Sequence, residues 1–413
     1  MNTSLYLSKP GVMSCAGNNI EELWNAVTIG KQDGIKKVTT CTGEEFFAAR
    51  VPDSAVKPSS ARYDMRVMRI EEAALNQIQD DVKTVVEKYG ADRIAVCVGS
   101  CDNGTEFSLA AHRKFIETGA FPADYNLEVQ GADYAATFVA EKFGLTGPCA
   151  CFSTACSSSA GAIIKAAEMI MGGLADAAVV GGIDIASDTT LVGFNALEAV
   201  SSEITNPCSK NRHGITIGDG AAFFVLSRES LAEIPVSSTG MASLSDVAKH
   251  APIRLLGWGE SSDAYHMTSP DPTGEGAEKA IRRALESASL APKDVGYINM
   301  HGTGTKLNDS MESKAIFSVF CGTSVPVSTT KAVTGHTLGA SAALELAVCW
   351  AALTENKRLP VQVWDGEQDP ELPVLNIVDK NNAAAANGGK GLKACLSNSF
   401  AFGGANACLA IGV

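Results

Sequence analysis

The chain is predicted to fold as a layered α/β protein, because short β-forming runs alternate with alanine-rich helical runs along its length. The clearest strands are residues 93–99 (RIAVCVG), 177–182, 221–226 and 295–300. The clearest helix is 277–286, whose apolar positions 277, 280, 281, 284 and 285 follow the helical period. The strand at 295–300 ends at His301, and open α/β sheets place their chemistry at the carboxyl ends of strands.

A weak internal echo divides the chain. Residues 152–156 (FSTAC) lead into a helical stretch that begins with the small residues Ser159, Ala160, Gly161 and Ala162. Residues 327–331 (VSTTK), with the turn that follows, lead into 339–346 (GASAALEL). Both read as strand–turn–helix units with reactive residues at the turn. Small residues at both helix starts would let the two helices pack closely about a pseudo-twofold axis. Two related halves are therefore expected, residues 1–245 and 246–413, joined in the loop-like stretch between Arg228 and Pro252.

Composition bounds the function. The chain has 413 residues, 46% apolar and 19% charged, enough for a large core. A net charge of −13 argues against nucleic acid or an anionic membrane as partner. The 12 cysteines are scattered, mostly through apolar runs, as suits reduced core thiols in a cytosolic protein. Cys149 and Cys151 have no second pair at metal-ligand spacing, so no metal site is expected. The N-terminus lacks a signal-peptide pattern, and no run reaches the apolar length of a membrane span. A cytoplasmic enzyme without a bound cofactor is the expectation.

The chemistry concentrates in three segments. Cys156 sits in STACSSS, where a turn opens the helical stretch 160–171. Free amides and the helix dipole are expected to stabilise its thiolate there. His301 begins HGTGT, and His336 lies within KAVTGHTLGAS at 331–341. One cysteine and two histidines at element ends are the parts needed for acyl transfer through a thioester.

Five further stretches carry a family resemblance: 11–19 (GVMSCAGNN), 154–158 (TACSS), 211–221 (NRHGITIGDGA), 262–270 (SDAYHMTSP) and 398–406 (NSFAFGGAN). In this order they resemble, nearly end to end, the β-ketoacyl-acyl-carrier-protein (ACP) synthases of the thiolase-fold condensing enzymes, specifically the type I/II elongating branch. The resemblance implies a thiolase-like fold, two related βαβαβ halves in an α-β-α-β-α layering. It implies that Cys156 takes an acyl group from ACP, with the backbone N–H groups of Cys156 and Phe402 stabilising the oxyanion. His301 and His336 would stabilise the enolate left when malonyl-ACP loses carbon dioxide. Lys331 and Glu345 would hold the histidines. Thr303, Thr305 and, more weakly, Thr268 would bind the pantetheine arm. Phe194 and Phe400 would border the acyl pocket. Phosphopantetheine would arrive on the carrier, so no resident cofactor is implied. A homodimer is implied, with a related partner chain as the alternative.

Plainer readings stand beside these. Lys331 also reads as a solvated lysine, Glu345 as an ordinary helix salt bridge and Phe194 as packing. His112, His213, His250 and His266 read as structural. The stretch Cys101-Asp-Asn-Gly104 departs from a Gly-rich apolar turn near the acyl pocket, His213 stands where an acidic residue is commoner, and Glu198 where a basic one is. Arg62, Arg66 and Arg69 are candidates to dock an acidic carrier, or else form a solvated helix face. A priming synthase would carry Cys-His-Asn, a thiolase a second reactive cysteine, and a chain-length factor no nucleophile. The remaining alternative is a ketosynthase of a dedicated polyketide or aryl-polyene pathway. A non-catalytic acyl-binding subunit is the reading from another class.

Overall fold

A computed structural model describes residues 5–102, 104–131, 133–231, 252–321, 323–355, 358–383 and 391–413. The expected joint at 245/246 and His250 lie outside these residues. Strands β1 (Leu5–Leu7), β2 (Gly11–Ser14), β3 (Lys36–Thr39), β4 (Glu45–Ala49), β5 (Ile94–Gly99), β6 (Cys149–Phe152), β7 (Ala177–Asp184), β8 (Ile217–Gly218) and β9 (Gly220–Ser227) precede the joint. Strands β10 (Arg254–Ser262), β11 (Tyr297–Asn299), β12 (Pro326–Ser328), β13 (Asn376–Ile377), β14 (Ala394–Phe400) and β15 (Ala405–Gly412) follow it. The four strands read from sequence are thus β5, β7, β9 and β11, with ends that differ by one or two residues.

The main sheet has 12 strands in the order β13-β12-β11-β14-β15-β10-β1-β9-β7-β5-β6, with β2 also paired to β9. Its two ends repeat one pattern. β5 runs parallel to β6 and β7, β7 is antiparallel to β9, and β9 is antiparallel to β1. Likewise β11 runs parallel to β12 and β14, β14 is antiparallel to β15, and β15 is antiparallel to β10. Antiparallel pairing of β1 with β10, Leu5 opposite Leu255, joins the two. The echo in the sequence is therefore a repeat of topology. A separate three-stranded sheet, β3-β4-β8, lies to one side.

Helices complete the layers. Preceding the joint are α1 (Ile20–Ile29), α2 (Arg66–Leu75), α3 (Gln79–Tyr89), α4 (Thr105–Thr118), α5 (Tyr134–Phe143), α6 (Ser158–Met171) and α7 (Asp188–Ala196). After it come α8 (Glu275–Ser287), α9 (Lys306–Phe320), α10 (Lys331–Thr334) and α11 (Ser341–Glu355). One apolar cluster joins α2, α3 and α5 to β5, β7 and β9. A second joins α8 and α9 to β11, β14 and β15. Between them, α6 and α11 share a core with both half-sheets, giving five layers. Small residues permit this central contact, and the Ala343 N–H donates to Ser159 Oγ across it at 3.0 Å.

Two expectations need correction here. Residues Leu338–Glu355 are helical, long and apolar enough to cross a membrane, although no such run was expected. Their window is 83% buried inside the protein, which makes this the core helix of the middle layer. The cysteines are all free, but Cys41, Cys101, Cys149 and Cys321 are exposed, so the core-thiol reading fails for those four.

Candidate active site

The nucleophile turn follows β6. Ala155 adopts φ 51°, a left-handed conformation that costs a residue with a Cβ about 1 kcal/mol. The bend throws Ala155–Ser157 into a single 3-10 turn before α6 begins. Ser158 Oγ accepts the Thr154 N–H at 2.9 Å and donates to Ala155 carbonyl at 2.6 Å, fastening both sides of the turn. Cys156 is thereby held at the floor of a cavity of about 510 Å³.

His301 and His336 reach the same floor from the other half. Cys156 Sγ and one nitrogen of each ring lie within 4.8 Å of one another. The rings meet edge to face, centroids 5.2 Å apart. Leu338 N–H donates to His336 Nδ1 at 3.0 Å, so the neutral ring carries its proton on Nε2. Lys331 Nζ stands 3.4 Å from His301 Nδ1, and an ammonium can only donate, so His301 is fixed in the same tautomer. Burial, then the positive Lys331, hold both imidazoles well below the ordinary histidine range. Both rings are therefore neutral N–H donors at physiological pH.

These three side chains are also the only histidine, cysteine or carboxylate group among the described residues with metal-ligand spacing. A ring whose Nε2 carries the proton donates rather than ligates, so the tautomers favour an oxyanion over a cation. Cys149 and Cys151 belong to no such group.

Lys331 and Glu345 lie behind the histidines and do not line the cavity. Both are fully or almost fully buried and form an ion pair, with Ser341 Oγ donating to the same carboxylate oxygen at 3.3 Å. That burial excludes a solvated lysine, and the salt bridge of Glu345 is a buried one to Lys331 rather than an ordinary one along its own helix.

The thiol differs from expectation. Burial pushes Cys156 up to about 11, against the opposing pull of Lys331 and of the Phe402 and Cys156 backbone N–H groups on the sulfur. Cys156 itself is buried at the floor of the cavity, and loss of hydration outweighs the donors. The resting nucleophile is a thiol. The same two N–H groups are, however, placed to receive an oxyanion next to the sulfur.

The remaining candidates surround the cavity. Thr303, Thr305, Thr268, Phe194, Phe400 and Phe402 all line it. Thr303 and Thr305 share a hydroxyl–hydroxyl bond of 3.0 Å, and Thr305 caps α9. Phe194 stacks on Phe402 at 5.8 Å, and Phe400 meets His301 edge-on at 6.3 Å. Consecutive Gly403 and Gly404 at φ 83° and 76° turn the chain beneath Phe402, a path closed to other residues.

The other histidines and the arginines lie as follows. His213 is exposed and lines the cavity mouth. His266 is also exposed, and its Nδ1 accepts the Thr268 N–H at 3.2 Å. His112 packs against Phe121 and Tyr125, as a structural histidine does. The three docking arginines are already paired: Arg62 with Glu128, Arg69 with Asp64, and Arg66 with Asp53 and Asp219. Glu128, Asp53 and Asp219 come from other segments and Asp64 from the same stretch, and together they offset the positive charge of these arginines. The Cys101 loop does lie beside the site, with Cys101 Sγ 3.4 Å from the Ala155 carbonyl.

Two supporting carboxylates went unread in the sequence. Glu312 on α9 accepts the His301 and Gly302 N–H groups at 2.8 and 2.7 Å and Asn398 Nδ2 at 3.2 Å. It therefore ties the His301 turn to β14, and burial pushes it up to about 7. Asp184 at the end of β7 accepts from Cys101, Asp102 and Gly339 N–H. The only signal was an acidic residue at a strand end and another within a turn or two of HGTGT.

A buried cysteine on a cavity floor, two neutral imidazole donors and two backbone N–H groups define an enzyme that transfers acyl groups through a thioester. Its chain matches the β-ketoacyl synthase N-terminal domain over residues 11–232 and the C-terminal domain over 253–363, and it belongs to the β-ketoacyl synthase family of condensing enzymes. It is 31% identical to a 3-oxoacyl-[acyl-carrier-protein] synthase 2 of Coxiella burnetii, covering 97% of this chain and 96% of that one. The ketosynthase ApeO of Xenorhabdus doucetiae, solved in complex with its chain length factor ApeC, is 36% identical with a TM-score of 0.87, covering 100% and 98%. The ishigamide ketosynthase/chain length factor follows at 26% and 0.84, covering 100% of both chains. These neighbours have the thiolase-like fold expected from the sequence.

Proposed function

We propose that this enzyme is a 3-oxoacyl-ACP synthase that extends an acyl chain by two carbons. The observation that carries this reading is the convergence of Cys156, His301 and His336 on one cavity floor, with both rings held as Nε2–H donors. Cys156 attacks the thioester of an acyl-ACP, and its proton leaves with the pantetheine thiol. Backbone N–H groups of Cys156 and Phe402 stabilise the tetrahedral oxyanion. Malonyl-ACP then loses carbon dioxide, and the enolate oxygen accepts from His301 and His336. The enolate carbon attacks the acyl carbonyl, Cys156 is released, and it recovers a proton from solvent. Lys331, paired with Glu345, fixes His301, and Glu312 fixes its backbone. Thr303, Thr305 and Thr268 bind the pantetheine arm, and Phe194 and Phe400 border the acyl chain. No resident cofactor or metal takes part.

A second reading is supported by the 36% identity to a ketosynthase solved with its chain length factor. Here the enzyme serves a dedicated polyketide or aryl-polyene pathway and works with a related partner chain. Self-association, with itself or that partner, is supported by β6, the last strand of the sheet, whose four residues are exposed or half-buried. A cytoplasmic location agrees with both readings.

The test is product analysis after acyl-ACP and malonyl-ACP are supplied to the enzyme alone. Saturated 3-oxoacyl-ACP products support the first reading. Products only from polyenoyl or aryl starters, or only with a partner chain added, move the assignment to the second. Absence of any condensation product under all these conditions overturns both.

A further inference from the structure

The turn that carries the nucleophile has a second thiol against it, which the acyl-transfer chemistry does not use. Cys101 lies just past the end of β5, and its sulfur donates to the Ala155 carbonyl at 3.4 Å and stands 3.6 Å from Ser158 Oγ. The Ala155 carbonyl and the Cys156 Cα belong to one planar peptide unit, and Ser158 follows Cys156 by two residues. The Cys101 thiol therefore touches the turn on both sides of Cys156. Its backbone is held there by Asp184, which accepts the Cys101 N–H at 3.0 Å and the Asp102 N–H at 2.7 Å. Cys101 is exposed as a residue, although its sulfur is turned onto the nucleophile's turn, and Cys156 is buried at the cavity floor. Both thiols are free in this structure.

We infer that Cys101 is a resolving cysteine for Cys156: under hydrogen peroxide the two form a disulfide that takes the nucleophile out of catalysis and keeps it from irreversible oxidation. The order of events follows from the charges around each sulfur. At Cys156, burial is opposed by Lys331 and by the Phe402 N–H, which favour the thiolate. At Cys101, burial is reinforced by the Asp184 carboxylate, which disfavours it. Cys156 therefore reacts first. Its thiolate attacks one oxygen of the peroxide, the O–O bond breaks, and Cys156 becomes a sulfenic acid with water as the other product. The Cys101 thiol then attacks Cys156 Sγ. The S–S bond forms, the S–O bond breaks, and the thiol proton leaves with the hydroxyl as a second water. The thiol pair loses two electrons in all, and one peroxide is reduced to two waters. Closing the bond asks Cys101 only to give up its contacts to Ala155 and Ser158, and a thiol is a weak donor.

The test is peptide mapping of peroxide-treated enzyme under non-reducing conditions, scored by mass and not by turnover, so that it stands apart from the reaction proposed above. The expected product is one cross-linked pair, the peptide bearing Cys101 joined to that bearing Cys156, lighter by two hydrogen atoms than the separate peptides. Dithiothreitol is expected to return both thiols to alkylation. Cys101→Ser keeps a hydroxyl for the contacts to Ala155 and Ser158 and is expected to leave the basal activity unchanged. Under the same peroxide it is expected to accumulate at least about fivefold more Cys156 sulfinic acid, which dithiothreitol does not reverse. Cys156 recovered as sulfenic or sulfinic acid with Cys101 still free, or bonded to a different cysteine, would overturn the inference. So would equal amounts of sulfinic acid in the unaltered enzyme and in Cys101→Ser. A Cys101–Cys156 cross-link in an enzyme that forms no condensation product would uphold the inference and overturn the functional reading alone.

Discussion

The two strand–turn–helix units at the centre of the molecule share a backbone and differ in what they hold. In one, Ala155 at φ 51° precedes Cys156, a 3-10 turn and a helix that starts at Ser158. In the other, Leu338 at φ 49° precedes Gly339, a 3-10 turn and a helix that starts at Ser341. The structural counterpart of Cys156 is therefore Gly339. The first turn opens on the cavity. The second is closed: Asp184 accepts the Gly339 N–H, and a Cβ added at Gly339 would lie 2.6 Å from Asp184 Oδ2 and 3.0 Å from the Cys101 nitrogen. A carboxylate fills the place where the first turn would receive substrate. One geometry thus yields a reactive site or a structural joint, according to whether its amides face a cavity or a side chain.

The largest expected effect comes from removing the first turn's nucleophile. Cys156→Ala should lower condensation by at least about 10³-fold, with no other cysteine substituting, measured as 3-oxoacyl product formation. Next is the pH dependence of that thiol. With its midpoint pushed up to about 11, the thiolate fraction rises about tenfold per pH unit below it. Alkylation of Cys156 by iodoacetamide should therefore climb about tenfold per unit from pH 6 to 9, whereas a plateau near pH 7 would mean a preformed thiolate.

The second turn should fail through stability instead. Asp184→Ala leaves the Gly339, Cys101 and Asp102 N–H groups without their acceptor, a loss of about 3 kcal/mol in chemical unfolding. Burial and the neighbouring Asp102 push Asp184 up to about 7. The native state therefore keeps a proton that the unfolded chain has lost. Its contribution is fully present below the ordinary carboxylate range and is lost as pH rises through about 7, and that slope should be missing from the variant. The smallest effect is Ala155→Gly, which relieves the left-handed strain and should stabilise the protein by under about 1 kcal/mol in the same assay.

How much of this was legible follows from where the information lies. Cys156, His301 and His336 could be read locally, because each sits in a turn whose small residues leave little room for another role. The layered fold was legible from the alternation of strands and helices, and the pseudo-twofold repeat from small residues at two helix starts. Roles for Lys331, Glu345 and Phe402 came only through family resemblance, since a lysine, a glutamate and a backbone N–H carry no local signature. Glu312 and Asp184 were missed for a related reason: their partners, Asn398 and Gly339, join them only once the strand order is set. The thiol was misjudged because local sequence displays the turn but not the burial above it. The ion pairs of Arg62 and Arg66 went unread because Glu128 and Asp219 reach them from distant segments.

The most direct measurement is peptide mapping by mass spectrometry of enzyme acylated with acyl-ACP, before and after a chase with malonyl-ACP. The expected result is one acyl adduct, on the peptide bearing Cys156, that disappears in the chase as 3-oxoacyl-ACP forms. An adduct on another residue, or one that persists in Cys156→Ala, would contradict the division of labour between the two turns.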